Sequence, residues 1–177
     1  MVDIVMADEE FEDWQALLSL LQDAFAYMEA RIDPPSSLRL LNTKTIIDKA
    51  REETLLLAWQ GSRLVGCCFL KDMDGKIYLG KLAIDPQTQK SGVGGLLVEF
   101  AKTVTKSRNR KIIELQSRVE LTEVHEFFRR HGFRPAPTPT RVMIARQVSQ
   151  CNLNYKAAEA SFFLICDAET FLLSDLS

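Results

Sequence analysis

The segment most informative about the architecture reads Leu82-Ala83-Ile84-Asp85-Pro86-Gln87-Thr88-Gln89-Lys90-Ser91-Gly92-Val93-Gly94-Gly95-Leu96-Leu97. An apolar strand pattern runs into a loop, and the loop runs directly into a helical pattern. Glycines carry no side chain, so a ligand can approach the main chain closely. The first helical turn offers unpaired N–H donors and the positive end of the helix dipole. The segment therefore predicts an anion site suited to a diphosphate, with Lys90 adding a positive charge.

Apolar spacing on both sides of this segment predicts a mixed sheet with helices. Recurrence every three or four residues indicates helices, and short apolar or alternating runs between turns indicate strands. The Asp74-Gly75 pair favours a tight hairpin. The predicted elements are strand 3–6, helices 11–28 and 43–52, strands 54–59, 64–70 and 77–84, helix 93–107, strand 111–117, helix 121–131 and strand 141–148. The strand–loop–helix–strand portion implies a parallel strand pair joined by a crossover, and the whole is an α/β (α+β) domain.

The composition indicates one globular domain. The chain has 177 residues and a formal net charge of -2, which argues against a basic nucleic-acid face. We expect a domain over residues 1–149 and an apolar extension over 150–177, which either covers the sheet or pairs with a second subunit as a homodimer. No apolar run is long enough to span a membrane, and the acidic N-terminus lacks a signal peptide's pattern. The expected location is the cytoplasm.

The four cysteines predict reduced, buried thiols and no metal site. Cys67 and Cys68 are adjacent, so on a strand their side chains point to opposite faces. Cys151 and Cys166 lie in the extension. No CxxC pair occurs, which leaves zinc and thioredoxin-like roles without support.

The glycine-rich loop fits one phosphate-binding pattern and fails two others. The P-loop pattern GxxxxGK[ST] is absent, and GxGxxG fails because Leu97 stands three residues after Gly94. The pattern Q/R-x-x-G-x-G/A is met by Gln89-Lys90-Ser91-Gly92-Val93-Gly94. With Asp-Pro before the loop and His131-Gly132-Phe133 closing a later helix, the chain resembles the GCN5-related N-acetyltransferase (GNAT) family over about residues 3–148.

The resemblance implies a mostly antiparallel twisted sheet whose central parallel strands splay apart around acetyl-CoA. The main chain of Leu82, Ala83 and Ile84 would pair with the pantetheine arm, and an N–H near Leu82 would polarise the thioester carbonyl. The residues implied to bind the pyrophosphate through their backbone are Gln89, Lys90, Ser91, Gly92, Val93, Gly94 and Gly95. No metal is implied.

The catalytic residues follow less clearly from the resemblance. Phe128, assigned to the cofactor site, stands where many members carry a tyrosine that protonates the departing thiolate, and phenylalanine has no proton to donate. Glu120 is our first candidate for the base, and Tyr78, at a strand position where some relatives carry a glutamate, is the second. Each has a structural alternative: Glu120 as a helix N-terminal carboxylate and Tyr78 as a packing residue. Glu123 and His125 are further candidates, with helix N-terminal and surface roles as their alternatives.

The acceptor is expected over the first two helices and their connection, at about residues 25–37. Tyr27, Glu29, Arg31 and Asp33 are candidates to select a polar amine, and a solvated loop is the alternative. The predicted function is transfer of an acetyl group from acetyl-CoA, by direct attack, to a primary amine of a small molecule, peptide or protein. A non-catalytic acyl-CoA-binding regulator is the alternative.

Overall fold

The computed structural model describes residues 1–31, 41–136, 168–174 and 176. Its elements are β1 Asp3–Met6, α1 Trp14–Phe25, a 3-10 turn Ala26–Met28, α2 Thr43–Glu52, β2 Thr54–Gln60, β3 Arg63–Met73, β4 Lys76–Ile84, α3 Val93–Ser107, β5 Ile113–Arg118, α4 Thr122–Arg130, β6 Arg134–Pro135 and β7 Ala168–Leu173. The predicted elements from residue 3 to residue 131 are therefore confirmed, with small shifts at their ends. The predicted strand 141–148 lies outside the described residues.

The strands of the described part form one sheet in the order β1-β2-β3-β4-β5-β7-β6. Neighbouring strands are antiparallel except β4 and β5, which are parallel. A parallel pair needs a long crossover connection, which the loop and α3 supply. The predicted mixed fold, mostly antiparallel with one parallel pair, is confirmed.

The two faces of the sheet carry separate hydrophobic cores. One core lies against α3 and α4 and includes Leu97 and Phe128. The other lies against α1 and α2 and includes Leu17 and Ile46. Cys68 belongs to the first core and Cys67 to the second, and both thiols are buried and free. The predicted alternation of the two cysteines across the sheet is confirmed.

The strand β7 lies between β5 and β6 and was not predicted. Its register runs from Ile113 opposite Leu173 to Arg118 opposite Ala168. Phe171 is fully buried in the core under α4. Residues 168–173 therefore cover the free edge of β5, one of the two roles left open for the extension. The predicted boundary at residue 149, and Cys151 and Cys166, lie outside the described residues.

Among the described residues, no helix combines the length and apolar character that crossing a bilayer requires. In the same part of the chain, no group of three or more His, Cys, Asp or Glu side chains is arranged to hold a metal ion.

Candidate active site

The parallel strands β4 and β5 pair only near their first residues. Ile77 lies opposite Ile113 and Tyr78 opposite Glu114, and no further pairs join the two strands. Beyond that point β4 stays paired with β3, and β5 with β7. The facing edges of residues 79–84 and 115–118 therefore offer backbone groups that a ligand can bind. We call the opening between these edges the split.

A bulge in β4 lies inside the split. Cys67 of β3 is opposite Ala83, but Phe69 is opposite Gly80, so β4 contains one extra residue. Lys81 has a positive φ of 49°, a conformation uncommon for a residue with a side chain. Bulges of this kind re-aim side chains and are common beside active sites.

The loop after β4 presents free amides at the start of α3. Gly92 precedes the helix with a φ of 93°, and no side chain caps the helix. The first helical bond runs from the Leu96 N–H to the Gly92 carbonyl, at 3.1 Å. Among the described residues, no acceptor contacts the N–H groups of Val93, Gly94 or Gly95. These three amides and the helix dipole can bind an anion.

Glycine is favoured at the three positions of this loop for different structural reasons. At Gly92 the positive φ is itself what favours glycine, since a Cβ there would meet no atom within 4 Å. A Cβ on Gly94 would lie 3.2 Å from Phe127 Cζ, and one on Gly95 would lie 2.9 Å from His131 Cε1. Gly94 and Gly95 therefore allow α4 to pack closely against the start of α3. The sequence had suggested ligand access alone.

The two candidates for the base lie at opposite ends of the split. Tyr78 is opposite Glu114, whereas Glu120 follows β5, which ends at Arg118. The four residue steps from Glu114 to Arg118 alone span about 13 Å of strand. The two candidates therefore cannot act on one proton together.

Glu120 has an oxygen with no hydrogen bond. Its Oε2 is buried and accepts no hydrogen bond from any described residue, but it forms a long ion pair with Arg118 Nε at 4.0 Å. The side chain as a whole is 33% exposed. A carboxylate with one open oxygen and access to solvent is chemically suited to accept a proton.

Tyr78 is suited to donate a proton rather than accept one. Burial, with the Glu114 and Glu53 carboxylates, raises the pKa of Tyr78 to about 12. At neutral pH the neutral phenol is thus the dominant form. Its ring packs over Gly80, where a Cβ would lie 3.3 Å from Tyr78 Cε1.

An ion pair connects the 3-10 turn after α1 with the start of α4. Arg31 binds the Glu123 carboxylate through both terminal nitrogens of its guanidinium, Nη1 and Nη2. Nη2 donates to Oε2 at 3.0 Å. Arg31 Nη2 also donates to the Glu120 carbonyl at 3.3 Å. The hydrogen bond from Arg31 lowers the pKa of Glu123. Of the proposed acceptor residues, Arg31 and Tyr27 thus lie beside the end of β5, with Arg31 5.7 Å from the Tyr27 ring. Asp33 lies outside the described residues.

A sequence model described as the acetyltransferase (GNAT) domain matches residues 51–135. The match spans the bulge, the split, the glycine-rich loop and α4. The chain contains a GNAT acetyltransferase domain. The predicted family is therefore confirmed, and with it the class of acetyltransferase. A comparison with curated protein sequences found no match.

Solved structures of similar fold include several acetyltransferases. A PaiA N-acetyltransferase from Thermoplasma acidophilum, in complex with coenzyme A, has a TM-score of 0.75 at 14% identity and covers 99% of each chain. The ribosomal-protein-S18-alanine N-acetyltransferase from Escherichia coli has a TM-score of 0.66 at 16% identity, over 98% of this chain and 94% of that one. A GNAT family acetyltransferase from Elizabethkingia anophelis with acetyl-CoA bound has a TM-score of 0.64 at 17% identity, over 98% and 97%. At these identities the likeness supports the fold.

Phe128 lies in the core of the GNAT domain rather than on an open surface. It is 5% exposed and packs against the Phe127 and Phe133 rings at centroid distances of 5.2 and 5.4 Å. Phe171 of β7 lies 6.4 Å away. The residue at the family's tyrosine position therefore stabilises the packing of α4.

His125 is also structural. It is 4% exposed, its Nε2 lies 2.9 Å from the Arg118 carbonyl oxygen, and its ring stacks near Phe171 at 5.0 Å. The expected surface position of His125 is thus wrong, because the side chain joins β5, α4 and β7.

Three residues beside the candidate site were not singled out from the sequence. Phe127 packs against Gly94, and Glu53 of α2 is an electrostatic neighbour of both Tyr78 and Lys81. Lys81 stands between Gly80 and Leu82 in an otherwise apolar strand, and that placement was the signal that could have identified it.

Proposed function

We propose that this protein transfers the acetyl group of acetyl-CoA to a primary amine of a small molecule, peptide or protein by direct attack. The observation that carries the proposal is the pair of open backbone segments that follow each other along the chain, the unpaired edge of β4 and the unpaired amides at the start of α3. A thioester arm with a diphosphate at its end needs these two kinds of contact in this order. The GNAT domain match supports acetyl transfer in general.

The chain's own residues fit acetyl-CoA. The main chain of Leu82, Ala83 and Ile84 borders the split and would hold the pantetheine amides, as an added strand does. The amides of residues 89–95 would hold the pyrophosphate, supported by the open N–H groups of Val93, Gly94 and Gly95. Lys90, exposed in the same loop, would add a positive charge.

The proposed chemistry needs a base and a polarised carbonyl. Acetyl-CoA supplies a thioester whose carbonyl carbon bonds to the amine nitrogen as the C–S bond breaks and CoA leaves as the thiolate. An alkylammonium has a pKa near about 10.4, so the acceptor must lose a proton before it attacks. Glu120, with its open Oε2, is the first candidate to take that proton. The N–H near Leu82 would stabilise the developing oxyanion.

A charge placed on the glycine loop tests the proposal. Gly92→Glu puts a negative side chain against the diphosphate position and is expected to weaken acetyl-CoA binding about tenfold or more. The wild-type protein is expected to melt about 5 to 10 °C higher at an acetyl-CoA concentration near 100 times Kd. The variant is expected to lose about half of this shift or more at the same acetyl-CoA concentration.

The matched control is Gly75→Glu. Gly75 also has a positive φ, 73°, with no atom within 4 Å of a Cβ, but it lies in the β3–β4 hairpin. Both variants carry the same charge and similar backbone strain, so only Gly92→Glu is expected to lose the acetyl-CoA shift. Equal shifts in the two variants would contradict the loop assignment.

A second candidate function is a non-catalytic acyl-CoA-binding regulator. The observation that favours it is Phe128, which is buried and has no proton for the departing thiolate. Release of CoA thiol in the presence of acetyl-CoA and a panel of amines separates the two functions. A thermal shift with acetyl-CoA but no thiol release on any amine would favour the regulator.

We infer a cytoplasmic location, which the two free buried thiols support because reduced cysteines are usual in that compartment. The acceptor amine, and a homodimer formed through the extension, stay predictions from the sequence.

A further inference from the structure

Four polar side chains meet on the α2-covered face of the sheet beside the split. Lys49 and Glu53 lie at the end of α2, and Tyr78 and Lys81 lie on β4. The electrostatic neighbours of Lys81 are Lys49, Glu53 and Cys67, and those of Tyr78 include Glu53. We call these four residues the Lys81 cluster.

The Lys81 cluster lacks one negative charge. Lys49 Nζ binds Glu53 Oε1 at 2.5 Å, so the only carboxylate of the cluster is already paired. The nearby Glu114 is paired with Lys76 at 2.6 Å. Among the described residues, no hydrogen bond or ion pair is made by the Lys81 ammonium, although the side chain is partly buried. A cation that is partly removed from water and has no counter-ion is unfavourable, and one anionic group would neutralise the cluster.

Two further polar atoms of the cluster make no hydrogen bond with a described residue. Glu53 has a side chain only 7% exposed, and its Oε2 is buried without a hydrogen bond among the described residues. The Tyr78 ring packs over Gly80, and its hydroxyl makes no hydrogen bond with any described residue. Buried polar atoms are nearly always hydrogen-bonded. The buried Glu53 oxygen, together with an ammonium and a phenol that no described residue binds, points to a polar ligand.

The backbone of β4 is shaped to place Lys81 in this cluster. Lys81 is the third residue after Tyr78, where pairing with β5 stops, so it lies beside the split. The bulge and the positive φ turn its side chain towards α2. Strained backbone of this kind clusters at functional sites, and an ordinary strand would not need it.

We propose that Lys81 is a specificity-determining residue that binds the carboxylate of an amino-acid acceptor, whose amine then lies at the split. The inference rests on the proposed acetyl transfer and names the class of its acceptor. Lys81 Nζ would donate to one carboxylate oxygen and the Tyr78 hydroxyl to the other.

The charge state of Lys81 is compatible with this role. Burial, followed by the Lys49 ammonium, lowers the pKa of Lys81 to about 8. At pH 7 the ammonium is still the main form, and a bound carboxylate would raise the pKa of Lys81 further.

The test compares acceptors that differ only in their carboxylate. Thiol release from acetyl-CoA is measured with a panel of free amino acids and with the corresponding amino-acid amides. The wild-type protein is expected to prefer at least one free amino acid over its amide by about tenfold or more in kcat/KM. Lys81→Met is expected to bring this ratio to about one, and Lys81→Arg to retain a preference. Lys106→Met, an exposed lysine on α3 at the other face of the sheet, changes the net charge equally and is expected to keep the ratio.

A binding measurement covers the case in which no member of the panel is turned over. N-acetyl amino acids and their amides are added to the CoA-saturated protein, and the melting temperature is recorded. A rise with the carboxylates alone, lost in Lys81→Met, would support the inference. The inference is overturned if CoA stabilises the protein but no carboxylate does, or if Lys81→Met lowers turnover of free acids and amides by the same factor. If acetyl-CoA itself produces no shift, the proposed function fails as well.

Discussion

Lys81 makes the stability of the folded protein depend on pH. The pKa of Lys81 is about 8 in the fold, against its usual value of 10.5, because burial disfavours the charged form. Between these two values the unfolded chain binds more protons than the folded one, so stability rises with pH. The full effect of the shift is at most about 3 kcal/mol.

The buried cysteines limit the window in which this can be measured. Burial raises the pKa of Cys67 to about 12 and that of Cys68 well above its usual value of 9.0. Above pH 9 their thiols ionise first in the unfolded chain, so stability falls there as pH rises. The effect of Lys81 is therefore clearest between pH 7 and 9.

We predict that the free energy of unfolding rises by about 1 kcal/mol more in the wild-type protein than in Lys81→Met between pH 7 and 9. Urea denaturation at several pH values measures the difference. Lys106→Met serves as the control and is expected to follow the wild-type curve. Parallel curves for the wild type and Lys81→Met would mean that Lys81 is not perturbed by the fold.

The helix α2 carries two members of the Lys81 cluster, and its first turn fixes its position. Asn42 Oδ1 accepts from the Thr45 N–H, and Thr45 Oγ1 accepts from the Asn42 N–H, both at 3.0 Å. This capping box satisfies two amides at the start of the helix.

We predict that Asn42→Ala lowers the free energy of unfolding by about 1 kcal/mol, because the Thr45 amide loses its acceptor. Lys44→Ala is the control in the same turn, since Lys44 is 87% exposed and makes only an ion pair to Asp48. Denaturant titration compares the two. An equal change in both variants would show that the cap contributes little to stability.

Most elements of this protein could be predicted from their own residues. The apolar spacing of Leu17, Leu21 and Ala24 on α1 matches the buried face found in the structure. The end of this helix could not be predicted as well, because residues 26–28 continue it as a 3-10 turn with the same spacing. The bulge at Lys81 could not be predicted either, because the register of β4 depends on its pairing with β3 and not on the residues of β4 alone.

The part of the candidate site formed by the backbone could be predicted from the sequence. The contacts between side chains of different elements could not. Gly92 was singled out from its residue type, and in the structure it has a positive φ, which glycine adopts readily. The packing of Phe127 on Gly94 depends on the angle between two helices, which one sequence does not reveal. The meeting of Glu53 with Lys81 likewise depends on where α2 crosses the sheet.

At the scale of the whole molecule, β7 ties the end of the chain to the core. Phe171 is fully buried, and its ring lies near those of His125 and Phe128. Arg129 lies over the Phe171 ring at 6.0 Å. Sequence patterns could not assign this strand, because its partner β5 is distant in sequence.

We predict that Phe171→Ala lowers the free energy of unfolding by about 3 to 5 kcal/mol, since it leaves a cavity between α4 and the sheet. Leu172→Ala, on the opposite face of the same strand and only partly buried, is expected to cost about 1 kcal/mol. Urea denaturation at two protein concentrations tenfold apart measures both. A loss that depended on concentration would instead indicate that β7 pairs between subunits.

The strand order β5-β7-β6 also constrains biosynthesis. When residues up to about 135 have been translated, the chain contains β5 and β6, but β7, which separates them in the sheet, has not yet been made. The growing polypeptide therefore lacks the native partner of the β5 edge while the next thirty or so codons are read, at about 5 to 20 residues per second. During those seconds the exposed edge is a site where a chaperone, or another unfinished chain, can bind first.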